Sequence, residues 1–228
     1  FAPTEKNKHN LLAEQVPEER IAVVGNPVID ALINITERPY SFPSELQAIL
    51  DHGRRIILVT THRRENFSKL KGVYSALNRL LVEFDDIEII FPVHRNPIVQ
   101  AQAAENLLKS DRLHLMDPLD YECFSHLMKQ SYLLITDSGG IQEEAPALGI
   151  PVLVVRESTE RTEGVEAGTL RVVGTDESEI VKNVTLLLQD REEHSKMAKS
   201  QNPYGDGSTS KKIAAFLKNY FQLDRDFL

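Results

Sequence analysis

Asp137-Ser138-Gly139-Gly140 joins an apolar, β-rich run to a helical stretch, and it is the segment of this sequence best suited to chemistry. Two glycines let a backbone come close to a ligand, and the N–H groups at the start of a helix favour an anion such as phosphate. Ser138 adds a hydroxyl donor; the alternative is a simple strand-to-helix turn with Ser138 as a plain helix cap. Glu143 and Glu144 follow on the same predicted helix. At roughly 1.5 Å per residue, Glu144 falls about 9 Å beyond Ser138, far enough to pass two phosphates and accept from ribose hydroxyls. Glu143, about 100° further round, cannot share that aim. Taken alone, the pair reads as two solvated surface acids.

Other polar groups follow other apolar runs. Thr61-His62-Arg63-Arg64-Glu65-Asn66 suits a phosphate clamp, an acid/base group or a helix-start cluster neutralised by Glu65. His94, in Pro92-Val-His-Arg-Asn-Pro97, is as well explained by a backbone hydrogen bond as by function. The polar run from Arg156 to Gly168 is a long loop, a type that is usually functional. Cys123 lies in an apolar helical pattern with no activating base, so a structural role is expected. Phe124 beside it is core-like, with stacking on a base as the alternative.

The elements that must position these groups alternate regularly. Ile56–Thr60, Ile87–Phe91, Leu113–Met116, Tyr132–Thr136, Pro151–Val155 and Leu170–Val173 read as strands. Between and after them, helical spacing covers Leu70–Phe84, Pro97 to about Leu108, Tyr121–Lys129, a stretch opened by Gly139-Gly140, and Glu177–Leu188. Repeated βαβ units predict a Rossmann-like α/β fold, a parallel sheet with helices on both faces. Ligands of such sheets bind beyond the carboxyl ends of the strands, which is where the polar groups fall. Ile21–Val24 reads as a further strand, and Pro39 and Pro43 frame a linker. The expected division is a tail of another domain over residues 1–38, the main domain over 39–210, and a final helix over 211–228.

Composition limits the function classes. The 228 residues carry 26 Lys+Arg against 34 Asp+Glu, a net charge of −8, so no global basic field draws the chain to nucleic acid or anionic lipid. No apolar run approaches the length of a membrane span. A single cysteine excludes an internal disulfide and a cysteine-built metal site, and a cytoplasmic setting is expected. His62 and His94 form no recognisable metal set, and the sequence has no G-x-G-x-x-G motif, so neither a metal nor NAD is expected as cofactor. The chain opens on Phe1 with no apolar signal core after it, and reads as a fragment or a processed product.

Five segments in order closely resemble the non-hydrolysing UDP-N-acetylglucosamine 2-epimerases: Thr61–Asn66, Pro92–Pro97, Thr136–Ala145, Arg161–Gly168 and Asn202-Pro-Tyr-Gly-Asp-Gly207. The resemblance covers nearly the whole chain and implies the carboxy-terminal, UDP-binding half of a two-domain GT-B fold. Phe1-Ala-Pro-Thr-Glu5 and Val24–Leu32 are similar to the last segments of the family's amino-terminal domain. The helix after Gly207 is then expected to cross back to that domain. One departure stands out: the family commonly has a glycine soon after Arg-Arg-Glu-Asn, where this sequence has Phe67-Ser68 in a loop one residue shorter.

The resemblance implies that Ser138, Gly139 and Gly140 bind the diphosphate, Glu144 the ribose, and Phe124 the uracil region. His62 matches an active-site histidine near the departing UDP, and Arg63 and His94 match residues of a second, activating UDP-N-acetylglucosamine site. The family interconverts UDP-N-acetylglucosamine and UDP-N-acetylmannosamine by eliminating UDP to 2-acetamidoglucal and adding it back, a step towards cell-surface polysaccharide. A homodimer is expected of the full-length protein, and this chain alone is expected to be inactive. Two other readings use the same half-site: a GT-B glycosyltransferase or hydrolysing epimerase, and a nucleotide-sugar-binding module without chemistry.

Overall fold

A computed structural model of the chain describes residues 1–61, 63 and 69–222. Six strands, β1 (Arg55–Thr60), β2 (Ile87–Pro92), β3 (Leu113–Met116), β4 (Leu133–Thr136), β5 (Val152–Val154) and β6 (Leu170–Val172), form one sheet in the order β3-β2-β1-β4-β5-β6. Every pairing is parallel, and Ile57 lies beside both Ile89 and Leu133. The order reverses between β1 and β4, the topological switch point of a doubly wound sheet. The central strands are apolar almost throughout because both of their faces are covered.

On one face, α4 (Leu70–Glu83) buries Leu70, Val73, Leu77, Leu80 and Leu81 on a stripe of threes and fours. It shares a core with α9 (Glu177–Gln189) and with Ile57, Ile89 and Ile135. Gly72 permits close packing there, since a Cβ on it would fall 2.1 Å from the carbonyl oxygen of Thr175. On the other face, α3 (Ser44–Leu50) and α6 (Tyr121–Gln130) cover Ile56, Leu58, Ile90 and Leu134. The expected strands and helices form with ends shifted by a residue or two, as capping dictates: Asn96 caps α5 (Pro97–Asn106), and Asp120 caps α6 by accepting from the Cys123 N–H at 2.8 Å. Cys123 is buried, and its burial pushes the thiol upward.

Four segments differ from expectation. Ile21–Val24 makes only one bridge, Val23 to Ala2, and Pro3, the next residue of the partner, has no N–H with which to extend it. The long loop after β5 contains a short helix, α8 (Thr162–Glu166). Helices α1 (Glu5–Ala13) and α10 (Arg191–Lys199), both poor in apolar residues, are not among the elements expected above.

Segment 1–38 contributes α2 (Pro27–Thr36), whose Leu32 joins the same core as Leu58, Leu127 and Leu134. The Asp30 carboxylate on α2 accepts the Thr209 and Ser210 N–H groups at 3.1 and 2.7 Å, fastening the start of α11 (Thr209–Tyr220). At the amino end of the sheet, Glu88 of β2 is fully buried. It accepts from Arg54 Nη1 at 2.8 Å and contacts His52 Nδ1 at 2.6 Å and His114 Nε2 at 2.8 Å.

Candidate functional site

The site is built where β1 and β4 part. Thr60 and Thr136 are register partners whose hydroxyls meet at 2.7 Å, and Thr136 Oγ1 also accepts the Ser138 N–H at 3.0 Å. The chain then turns through Ser138 into α7 (Gly139–Glu144). Ser138 holds the cap position, yet its hydroxyl makes no capping bond, so it is available for a ligand. Asp137 is fully buried and accepts the Arg63 N–H at 3.0 Å, while its carbonyl accepts from Arg63 Nε at 3.1 Å.

Three arginines converge on this turn. Arg63 Nη2, Arg161 Nη1 and Arg156 Nη1 contact the Glu160 carboxylate at 3.0, 2.9 and 2.7 Å. A Cβ on Gly139 would lie 3.4 Å from the Arg161 Cζ and Nη2 atoms and from Glu160 Oε1. The guanidinium therefore packs directly beside the glycine turn, and a larger residue there would stand between the two.

The adjacent glutamates of α7 have opposite environments. Glu143 is buried: Oε1 accepts from Arg161 Nε at 2.8 Å and Oε2 from Asn26 Nδ2 at 2.5 Å, and Asn202 binds its carbonyl. Thr4 reinforces the same region by donating to Glu163 at 2.8 Å. Glu144 instead turns back along the helix, where a Cβ on Gly140 would lie 3.4 Å from its Oε1, and Tyr121 approaches Oε2 at 3.4 Å. Burial, with a smaller push from the Glu143 charge and against the Tyr121 hydrogen bond, raises its carboxyl to about 7.

Ser138, Gly139, Gly140, Glu144 and Arg63 are thus brought together. Phe124 is half-buried on α6 and packs against the core, on the same helix as Tyr121. His94 is exposed past the carboxyl end of β2, and its Nδ1 accepts the Asn96 N–H at 3.1 Å. His62 and Arg64–Ser68 lie outside the described residues. The sequence places Arg156 on the polar rim at the strand ends, but it singles out no role for Arg161, Glu160 or Asn26, and Glu143 reads from it as a solvated acid. Arg156 is placed there because it follows an apolar strand as Arg63 does. Nothing local announced the pairing of Glu143 with Asn26. No group of three or more His, Cys, Asp or Glu side chains among the described residues is arranged to hold a metal ion, and no described helix is long and apolar enough to cross a membrane.

This topology and rim define a doubly wound, Rossmann-like α/β domain of the kind that forms one half of a GT-B fold. A family model, described as UDP-N-acetylglucosamine 2-epimerase, matches residues 1–218. The chain belongs to that family. It is 46% identical over 214 residues to the UDP-N-acetylglucosamine 2-epimerase of Bacillus subtilis, a match covering 93% of this chain and 56% of that protein. A crystal structure of a 2-epimerase from Listeria monocytogenes superposes with a TM-score of 0.92 at 44% identity, covering all of this chain and 62% of that one. The S. aureus MnaA–UDP co-structure gives a TM-score of 0.91 at 40% identity, over 99% and 61% of the respective chains. The chain thus spans about 60% of the length of these relatives.

Proposed function

We propose that this chain is the UDP-binding part of an enzyme that interconverts UDP-N-acetylglucosamine and UDP-N-acetylmannosamine. The observation that carries the reading is the packing of the Arg161 guanidinium against Gly139, next to Ser138, with Glu144 at the other end of α7. That order suits a diphosphate at Ser138–Gly140 followed by a ribose whose hydroxyls donate to Glu144. Phe124 would border the uracil, His62 the departing phosphate, and Arg63 and His94 a second nucleotide-sugar. The similarity to a curated 2-epimerase and to a relative solved with UDP supports the same assignment.

The chemistry explains why a diphosphate site matters. The hydrogen at C2 of the sugar is not acidic, having no adjacent carbonyl. Loss of the C2 proton with cleavage of the C1–O bond releases UDP and leaves the C1=C2 double bond of 2-acetamidoglucal. Return of UDP to C1 and of a proton to the other face of C2 completes the inversion. Negative charge grows on the leaving diphosphate, where Arg161, Arg63 and the glycine-turn N–H groups stabilise it. Carboxylates for proton transfer at C2 and C3 would come from the part of the relatives that this chain does not cover. The reaction needs no metal or NAD, and a homodimer in the cytoplasm is the proposed state of the whole protein.

Calorimetric titration of the chain with UDP, beside Ser138→Ala and Glu144→Ala, tests the binding reading. Saturable binding that both substitutions weaken is expected. Unchanged affinity in both variants would remove the diphosphate and ribose from these positions. For the reaction, incubating the full-length protein with UDP-N-acetylglucosamine in D2O should give UDP-N-acetylmannosamine deuterated at C2, and release of free sugar instead would defeat the epimerase assignment.

A further inference from the structure

The Glu160 carboxylate is itself an anion bound at this site. Its Oε1 accepts from Arg63 Nη2 at 3.0 Å and pairs with Arg161 Nη1 at 2.9 Å, while Oε2 accepts from Arg156 Nη1 at 2.7 Å. Oε1 also lies 3.4 Å from the Cβ position of Gly139. One carboxylate thus engages three guanidinium groups beside the glycine turn, in the geometry a phosphate oxygen would adopt. We propose that Glu160 is a specificity-determining residue: its carboxylate is the internal anion that a ligand's phosphate must displace from Arg63, Arg156 and Arg161.

Burial opposes the Glu160 charge, yet its own backbone N–H, Arg156 and Arg63 outweigh that and hold its carboxyl down at about 2. It therefore competes as a full negative charge throughout the neutral range. A neutral or weakly charged ligand cannot replace its charge-assisted bonds, whereas a diphosphate supplies several oxygens to the same arginines. The side chain is 43% exposed, so it can swing into solvent when displaced, and its pairs are screened enough for displacement to occur. Discrimination then comes from the competitor as well as from the attraction.

The inference rests on the diphosphate lying at Ser138–Gly140. It is tested by titrating the 228-residue chain, Glu160→Gln and Ser138→Ala with UDP and with uridine, which carries no phosphate. Glu160→Gln should tighten UDP by about fivefold, the scale of a partly exposed ion pair, and leave uridine unchanged. UDP binding that is equal or weaker in Glu160→Gln, while Ser138→Ala still weakens it, would overturn the proposal and leave the diphosphate placement standing. Glu160 would then merely align the arginines. UDP binding insensitive to Ser138→Ala would overturn the placement and the proposal together. Equal tightening of uridine and UDP would also overturn it, because the effect would not come from phosphate.

Discussion

Arg161 Nε donates to Glu143 Oε1 at 2.8 Å, and the same carboxylate reaches Asn26 through its other oxygen. A buried glutamate thus ties the arginine beside the glycine turn to Asn26, whose side chain caps α2 by accepting the Val28 N–H at 3.1 Å. Glu143→Ala leaves Asn26 and Arg161 without this partner, a loss of about 1–3 kcal/mol for a largely buried, hydrogen-bonded group. The expected result is a lower melting temperature together with UDP affinity reduced about tenfold. Glu143→Gln, which still accepts from one partner, should lie between the two. Calorimetry and thermal melts on the same preparations read both effects, and a melt shift without an affinity change would show that Arg161 needs no tether.

Gly140→Ala separates fold from function. The new methyl would meet Glu144 Oε1 at 3.4 Å, ordinary contact distance, so the chain accepts it. Alanine in place of glycine within a helix adds up to about 1 kcal/mol of stability. A diphosphate that needs close backbone approach would be excluded. An unchanged or higher melting temperature with UDP binding weakened at least about tenfold is expected; retained binding would mean that the phosphates do not approach this face of the turn.

Glu144 makes stability depend on pH in a definite direction. Its folded carboxyl sits at about 7, above the ordinary 4.5, so the folded chain holds a proton that the unfolded chain has lost. The stability lent by the protonated form is complete below about 4.5, declines as pH rises, and is gone above about 7. Glu144→Gln cannot ionise there. Its melting temperature relative to the unsubstituted chain should therefore climb between pH 5 and pH 8, and a difference that stays flat would contradict the buried environment.

Glu88 provides a contrast at the other end of the sheet. Burial opposes its charge, but hydrogen bonds from Arg54, His52 and His114 win and hold its carboxyl below the ordinary value. The stability it lends is present above about 4.5 and is lost as pH falls through the lowered folded value. Removing one partner of a fully buried pair costs about 3–5 kcal/mol. Arg54 and His52 are 38% and 49% exposed and can turn to water, so Glu88→Gln should cost less, about 1–3 kcal/mol at pH 7. Urea denaturation measures it, and UDP affinity should not change, since no contact described here links Glu88 to the arginine cluster.

Much of this architecture is legible in the chain because the period of the apolar residues changes with each element. The stripe from Leu70 to Leu81 admits only a helix, and Ile56–Val59 is too short and too β-branched for one. The glycine turn was equally visible, since glycine pairs at a strand end have few other uses. A cationic rim at the strand ends is legible too, but the meeting of Arg63, Arg156 and Arg161 on one carboxylate is not, because they come from two loops that only the β1–β4–β5 order brings together. Glu143 misled for a related reason. Beside Glu144 it looks like a surface acid, and its burial depends on Asn26, more than a hundred residues earlier. Helix α1 escaped because its helical form draws on the Thr4 cap and not on an apolar stripe.

The reversal between β1 and β4 also governs how this sheet can be made. No hairpin occurs in this sheet: β1 pairs with β2 across α4, and Ile57 meets Leu133 across five intervening elements, α4, β2, α5, β3 and α6. Zippering outward from a tight hairpin is not open to such a topology, so each strand is added by closing a long loop. The halves β1–β3 and β4–β6 adjoin within the sheet through a single strand pair. The Thr60–Thr136 hydroxyl contact lies at the end of that seam. The glycine turn therefore sits at the one join where strands distant in the chain meet, and its geometry depends on contacts between residues 76 apart in sequence.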